Sequence, residues 1–185
     1  VEASALDKAA DVRALSGNIV FPGFTAPKLM WVAKEEPDIF SKVDKVLLPA
    51  AYLNFWLTGD AFADMSDSAG TSWLDVGKRG WSPRLLEVSE MKIDCMPRLV
   101  EGCQIGATLS PHIAQLLGLD CNVVVVGGAG DNAAAACGIG ALGEGGGFVS
   151  LGTSGTLLVA RDGYHPLPAS AVHTFCHAIP ETWYQ

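Results

Sequence analysis

Long apolar runs are absent from this sequence. No window reaches the roughly 18 consecutive apolar residues a membrane-spanning helix needs, and no basic-then-apolar leader opens the chain. Positive charge is scarce as well: 12 Lys and Arg face 20 Asp and Glu, a formal net charge of -8. A polyanionic partner needs clustered Lys and Arg. Nucleic acid and membrane are therefore argued against, and a soluble, cytoplasmic protein is expected. Cysteine occurs without metal-ligand spacing. Cys95, Cys103, Cys121, Cys137 and Cys176 are odd in number and contain no C-x2-C pair, which argues against a disulfide framework. Cys121 and Cys137 lie among apolar or small residues, where a reduced cysteine behaves as a small hydrophobe. Internal repeats, low-complexity tracts and long charge runs are missing too.

What is present supports a packed core. With 49% hydrophobic and 17% charged residues, the chain is too apolar to be disordered. Its 185 residues have room for one domain, or one domain plus part of another. It opens at Val1 without a methionine and stops at Trp183-Tyr184-Gln185 in what reads as mid-strand, so a fragment of a longer protein is expected.

The stretch from Cys121 to Gly155 organises the rest. Val123-Val124-Val125-Val126 reads as a strand buried on both faces, as in α/β sheets. It turns through Gly127-Gly128-Ala129-Gly130, at the strand end where open α/β sheets place ligands. Asp131-Asn132 then heads the small-residue segment Ala133 to Gly138, and Phe148 to Leu151 leads into a second turn, Gly152-Thr153-Ser154-Gly155. One carboxylate and one glycine-threonine turn are expected to face a common cleft.

Elsewhere the elements follow from punctuation. Residues 5 to 15 fit a helix ending near Gly17. Thr25 is a candidate N-cap with Pro27 in the first turn of a helix running to about Glu36. Ile39, Phe40 and Val43 suggest a short helical piece, Val46 to Pro49 a short strand, and Ala50 to Leu57 a helix closed by Gly59. Asp64 to Thr71 is polar and small, more loop than element. Ser82-Pro83 opens a helix, and Pro111 to Leu117 is another, stopped by Gly118. After Gly145-Gly146-Gly147, strands are expected at Phe148 to Leu151, Thr156 to Ala160, Ala171 to Ala178 and Thr182 to Gln185, as a β-meander. It is too small to bury a core alone. The domain boundary is therefore placed in Gly143 to Gly147, with residues 1–143 in one domain and 144–185 opening a second.

Each motif has two readings. Asp131 can accept a proton from a substrate hydroxyl as a general base, or simply N-cap the helix that follows. Phosphoryl transfer suits a carboxylate there, because its loose transition state asks for positioning more than for strong proton abstraction. Gly152-Thr153-Ser154-Gly155 can present backbone N–H groups and hydroxyls to a phosphate, or be an ordinary hairpin turn. It is not a Walker A loop: it has no lysine, and a strand follows it. Gly128 to Ala133 formally matches the dinucleotide fingerprint G-x-G-x-x-[GA], which leaves an oxidoreductase as an alternative. The acidic residue expected about 20 positions on is missing, and Asp131 would repel a pyrophosphate. His173 and His177 share a strand face about 13 Å apart by the strand rise, too far for one ion, so a structural or cleft-lining role is expected. Trp31, Trp56, Trp73 and Trp81 are read as core, with Trp73 beside the polar loop the least clear.

Taken together, several segments resemble the FGGY carbohydrate kinases. Gly23 to Glu35 is similar to the family's first signature. Asp64 to Val76, Gly130-Asp131-Asn132 and Ser150 to Gly155 follow in the family's order. Within it, Asp44 to Pro49 and Ala171 to Ala178 resemble the bacterial D-xylulose kinases. The resemblance implies an α/β, actin/hexokinase-like (ribonuclease H-like) sugar kinase, of which this chain is the latter part of domain one plus the opening strands of domain two. It implies ATP and Mg2+ as cofactors and transfer of the γ-phosphoryl group to the 5-hydroxyl of D-xylulose. Asp131 matches the catalytic base and lies near the metal and the sugar. Asn132 matches a sugar-binding position, and Gly152, Thr153 and Ser154 match the phosphate loop. The family's opening D-x-G-T-type loop and its later adenosine motif are not among these residues, so the segment alone is expected to be inactive. A homodimer is one assembly open to it, and a non-catalytic sugar-binding member of the superfamily is the remaining alternative.

Overall fold

Proline opens several helices and glycine closes them. The computed structural model describes residues 1–185. The first half comprises α1 (Glu2–Lys8), α2 (Val12–Ser16), α3 (Thr25–Glu35), α4 (Pro37–Phe40), α5 (Pro49–Thr58), β1 (Phe62–Asp64), α6 (Met65–Ala69), β2 (Leu74–Asp75), β3 (Gly80–Trp81) and α7 (Pro83–Val88). Then come β4 (Arg98–Val100), β5 (Ile105–Thr108), α8 (Pro111–Leu117), β6 (Val124–Val126), α9 (Asp131–Gly138), β7 (Gly147–Leu151), β8 (Gly155–Arg161), β9 (Phe175–Cys176) and β10 (Trp183–Tyr184). Ser82 Oγ caps α7 by accepting from Leu85 N–H, and Ser110 Oγ caps α8 by accepting from Ile113 N–H. Gly59 and Gly118 close α5 and α8 with φ of 85° and 66°.

The first core gathers around Trp73, which is fully buried with Leu6, Val12, Ala26, Leu85 and Leu86. Its indole N–H donates to Ser89 Oγ at 2.8 Å, so the ring is buried without an unpaired donor. Burying each leucine stabilises by about 1.5–3 kcal/mol, against about 1 kcal/mol for a cap. Packing therefore fixes α7, and its cap only trims the end. The second core is built on alanine. Ala133 and Ala136, three apart on α9, are wholly buried with Ala141 against Leu158, Ala178 and Tyr184. Small side chains on that face let the helix lie close to the C-terminal sheet.

β1 and β4 pair in parallel; β2–β3 and β5–β6 are antiparallel ribbons. The four C-terminal strands form an antiparallel sheet in the order β7-β8-β10-β9. The expected meander is thus corrected: β10 inserts between β8 and β9, pairing Tyr184 with both Ala160 and Phe175. The expected strand over Ala171 to Ala178 shrinks to two residues. Val46 to Pro49 forms no strand, its only ladder-like bond being Val46 N–H to the Cys95 carbonyl. Residues 5 to 15 divide into α1 and α2 because Asp11 turns left-handed, φ 68°. Phe24, not Thr25, is the α3 N-cap residue.

Two burial expectations are also corrected. β6 is half-buried: Val124 and Val126 are 47% and 43% exposed, since β5 covers one edge and only Val125 turns inward to the cluster of Leu109, Ile113 and Ala114. Trp31 and Trp56 lie on outward faces of α3 and α5, while Trp73 is the most buried tryptophan. All five cysteines are free, with Cys121 and Cys103 exposed. No helix is long and apolar enough to cross a membrane.

One half-buried ion pair ties the halves together. Arg79 donates to both oxygens of Glu101, from Nε at 3.0 Å and Nη2 at 2.5 Å. Its Nη1 donates to the Thr182 carbonyl at 2.9 Å, and its guanidinium lies 5.5 Å from the Trp183 ring.

Candidate active site

The polar stretch after β1 is not a loop. Asp64, buried at the strand end, accepts at Oδ1 from the N–H groups of Ser66 (2.8 Å) and Asp67 (3.0 Å), which nucleates the single-turn helix α6. Ser66 Oγ donates to the same oxygen at 2.5 Å and accepts from Gly130 N–H at 2.8 Å. α6 thereby holds the turn that precedes α9.

The other side of that turn is held by backbone. Gly127 N–H donates to the Gln104 carbonyl and Gly128 N–H to the Gly102 carbonyl, both at 3.0 Å. A Cβ at Gly127 would stand 2.5 Å from the Glu101 carbonyl oxygen, and Gly128 has φ 81°. These two glycines are required. Gly130 is not: its φ is -60° and a Cβ would meet Asp67 only at ordinary contact distances, from 3.4 Å.

Asp131 is the first residue of α9, with Gly130 at the N-cap. Its Oδ1 accepts from Asn132 N–H at 2.7 Å. Asp131 therefore satisfies one free amide at the start of its own helix, that of Asn132, although Gly130 and not Asp131 is the N-cap; its Oδ2 accepts no bond. Its side chain is exposed and close enough to Asp67 and Tyr184 to act on both. The Asp67 carboxyl is pushed up to about 6, first by burial, then by the charges of Asp64 and Asp131. Tyr184 is pushed up by burial, then by Asp131.

The Gly152–Gly155 turn joins β7 to β8, closed by Gly152 N–H to the Ser154 carbonyl at 2.9 Å. Thr153 and Ser154 are exposed, and their hydroxyls bond to nothing in the chain. Neither glycine has a left-handed φ, and a Cβ at either would find nothing closer than 3.7 Å. Nothing in the local fold demands glycine there.

Asn132 and the root of this turn, Gly155 and Thr156, line one groove of about 660 Å³. Asp131 and Thr153 do not line it. The groove runs along the edge of β8 beyond the point where Gln185 exchanges two backbone hydrogen bonds with Val159, at 2.9 and 2.8 Å. Its shape is that of a strand edge, so we assign no ligand to it. His177 is wholly buried, its Nδ1 accepting from Ile179 N–H. His173 packs among Phe21, Phe24 and Phe175. Burial lowers both pKa values. Both side chains are packed structurally, and no group of three ligating side chains could hold a metal.

Residues 2–138 match the N-terminal domain of the FGGY family of carbohydrate kinases. The chain belongs to that family. It is 49% identical over 172 residues to a xylulose kinase of Escherichia coli (strain K12), covering 93% of this chain and 35% of that one. A xylulose kinase of Klebsiella pneumoniae is 48% identical, over 96% of this chain and 37% of its own. Among solved structures, a "xyloylose kinase" from Brucella ovis superposes with a TM-score of 0.97 at 56% identity, over 100% of this chain and 38% of that one. The chain therefore spans about a third of the length of the relatives it matches. The mixed α/β architecture is that of these sugar kinases, of the actin/hexokinase-like class.

FGGY membership agrees with the geometry against a dinucleotide fold. β6 pairs antiparallel with β5, and α9 leads into an antiparallel hairpin, whereas the fingerprint requires a parallel βαβ unit. A pyrophosphate at Gly128 to Ala133 would also meet Asp64, Asp67 and Asp131. The sequence alone places Asp64, Ser66 and Asp67 in a polar segment resembling the family's and assigns them no role. The signal was there: an Asp two and three residues before free N–H groups is a cap pattern.

Proposed function

We propose that the protein carrying this chain transfers the γ-phosphoryl group of ATP to the 5-hydroxyl of D-xylulose. Likeness to xylulose kinases along nearly the whole chain supports the reaction and the sugar. The observation that carries the site is the exposed Asp131 carboxylate, with Oδ2 unspent, on a turn fixed from both sides. Asp131 orients the attacking hydroxyl and takes its proton as the bond to phosphorus forms; Asn132 holds a neighbouring sugar hydroxyl. Most of the acceleration comes from alignment and exclusion of water.

Gly152, Thr153 and Ser154 cradle the β- and γ-phosphates. Two glycines without a local steric reason suit a backbone that a phosphate approaches closely, and the two free hydroxyls supply donors. Asp131 would hold Mg2+ together with substrate phosphates, a donor set of the kind that ion takes, and the ion would offset phosphate charge. Residues 1–143 are read as the latter part of the first kinase domain and 144–185 as the start of the second. Each ligand then contacts residues beyond this chain, and the 185 residues alone are inactive.

The test is a panel of ketoses and polyols with ATP, reading ADP, on a full-length kinase carrying these residues. D-xylulose should give the highest kcat/KM. Sugar binding without ADP release would instead select the non-catalytic reading. Sugar-dependent ATP turnover by residues 1–185 alone would overturn the division of the site.

A further inference from the structure

We infer that Ser66 is a positioning residue for the phosphoryl-transfer step, acting through the turn that presents Asp131; this rests on the reading of Asp131 as the base. Asp64 is buried, 3% exposed, and as a carboxylate it only accepts hydrogen bonds. It therefore fixes the Ser66 hydroxyl with its proton toward Oδ1. That leaves an oxygen lone pair aimed at Gly130 N–H, which it meets at 2.8 Å. The bond spans 64 residues in sequence and sets the residue immediately before Asp131. Ser66 is itself 4% exposed, so the bond is shielded from solvent.

The remaining bonds of the turn hold Gly127 and Gly128 on the side of Gly102 and Gln104. Gly130, its last residue, accepts at its carbonyl from Ala134 N–H within α9, and the Ser66 hydroxyl is the one partner of its N–H. Removing it uncouples the start of α9 from α6 while leaving the Asp64 cap on Ser66 and Asp67 N–H intact. The expected consequence is a misplaced base in a folded protein. Ser66 touches no substrate in this account.

The experiment uses a full-length xylulose kinase carrying these residues, with Ser66→Ala, Ser66→Thr, Asp131→Asn and the Ser66→Ala/Asp131→Asn double variant. Ser66→Ala should lower kcat about 10- to 100-fold, the range a displacement of order 1 Å produces, with both KM values near the parent's. Amide exchange in the peptide containing Gly130 should accelerate. Ser66→Thr should restore kcat and protection. In the Asp131→Asn background, Ser66→Ala should cost nothing more, because a residue acting through Asp131 has nothing left to position. If Ser66→Ala keeps the parent's kcat while Asp131→Asn is inactive, the positioning role is overturned and the base reading stands. If Asp131→Asn keeps a tenth or more of the activity, the base reading itself falls. Should Ser66→Ala fail to fold, Asp64→Asn decides the matter: it retains a capping oxygen but weakens the charge-assisted bond to Ser66. A lowered kcat with unchanged KM then supports the role, and an unchanged kcat overturns it.

Discussion

Asp67 and Asp131 approach each other across the contact between α6 and the start of α9, and the charge of Asp131 helps to raise the Asp67 carboxyl to about 6. In the unfolded chain Asp67 titrates near 3.8. Between those two values the folded state binds more protons than the unfolded one, so this group makes stability fall as pH rises from about 4 to 6. Below the unfolded value its effect is absent, and above about 6 the penalty is complete. Asp67→Asn should therefore raise the melting temperature at pH 7 and change it little near pH 4. With partial solvent screening the gain at pH 7 is about 1 kcal/mol. Melting curves of parent and variant at several pH values check it, and a gap that does not widen with pH would discard the account.

Asp131→Ala removes an exposed side chain whose only bond is to its neighbour's amide, so stability should change by no more than about 0.5 kcal/mol. In a full-length kinase carrying the chain, kcat should drop at least about 100-fold. Circular dichroism and steady-state rates separate the two effects. A variant with a tenth of the parent's turnover would speak against the role.

The two ends of the 127–130 turn should differ in their tolerance of a methyl group. Gly127→Ala pushes a Cβ against the Glu101 carbonyl, fixed backbone that cannot give way, and should destabilise by about 1–3 kcal/mol. Gly130→Ala meets Asp67 at ordinary contact distance with an ordinary φ and should cost under about 1 kcal/mol. Equal losses in urea titrations would show that the turn is not held as described.

Arg79 tests whether the C-terminal sheet is anchored by geometry or by charge alone. Its fork engages both Glu101 oxygens and the Thr182 carbonyl, and lysine can reproduce neither the fork nor the stacking on Trp183. Arg79→Lys should lower stability by about 1 kcal/mol and Arg79→Ala by about 2–3 kcal/mol, because Glu101 loses its partner but keeps partial contact with water. Thermal melts of both variants, at matched salt, decide it.

The parts of this architecture that sequence reasoning reached are local ones. Ser82-Pro83, Pro111, Gly59 and Gly118 mark helix ends because what decides a helix end lies within four residues of it. Asp131 and the 152–155 turn stand out as candidates in the sequence because charge and glycine are unusual beside an apolar strand. What was missed depends on distant partners. The Ser66–Gly130 bond joins residues 64 apart. β10 enters between β8 and β9, which no pattern within 171–185 signals. The four valines of 123–126 read as doubly buried, yet exposure is set by what packs on a strand, and here only Val125 turns to a core.

The phosphate-loop reading can be separated from a structural one at Gly152. In the free chain its Cβ position is open, with the nearest atom, the Ser154 carbonyl oxygen, at 3.7 Å, and φ is not left-handed. Gly152→Ala should therefore leave the melting temperature unchanged within about 0.5 kcal/mol of stability. A phosphate approaching the backbone closely would meet the new methyl. The KM for ATP should rise about tenfold, a loss of about 1.4 kcal/mol in binding, while the KM for the sugar stays near the parent's. A variant with an unchanged KM for ATP would remove this turn from the nucleotide site. A variant that unfolds would show instead that the glycine serves the hairpin.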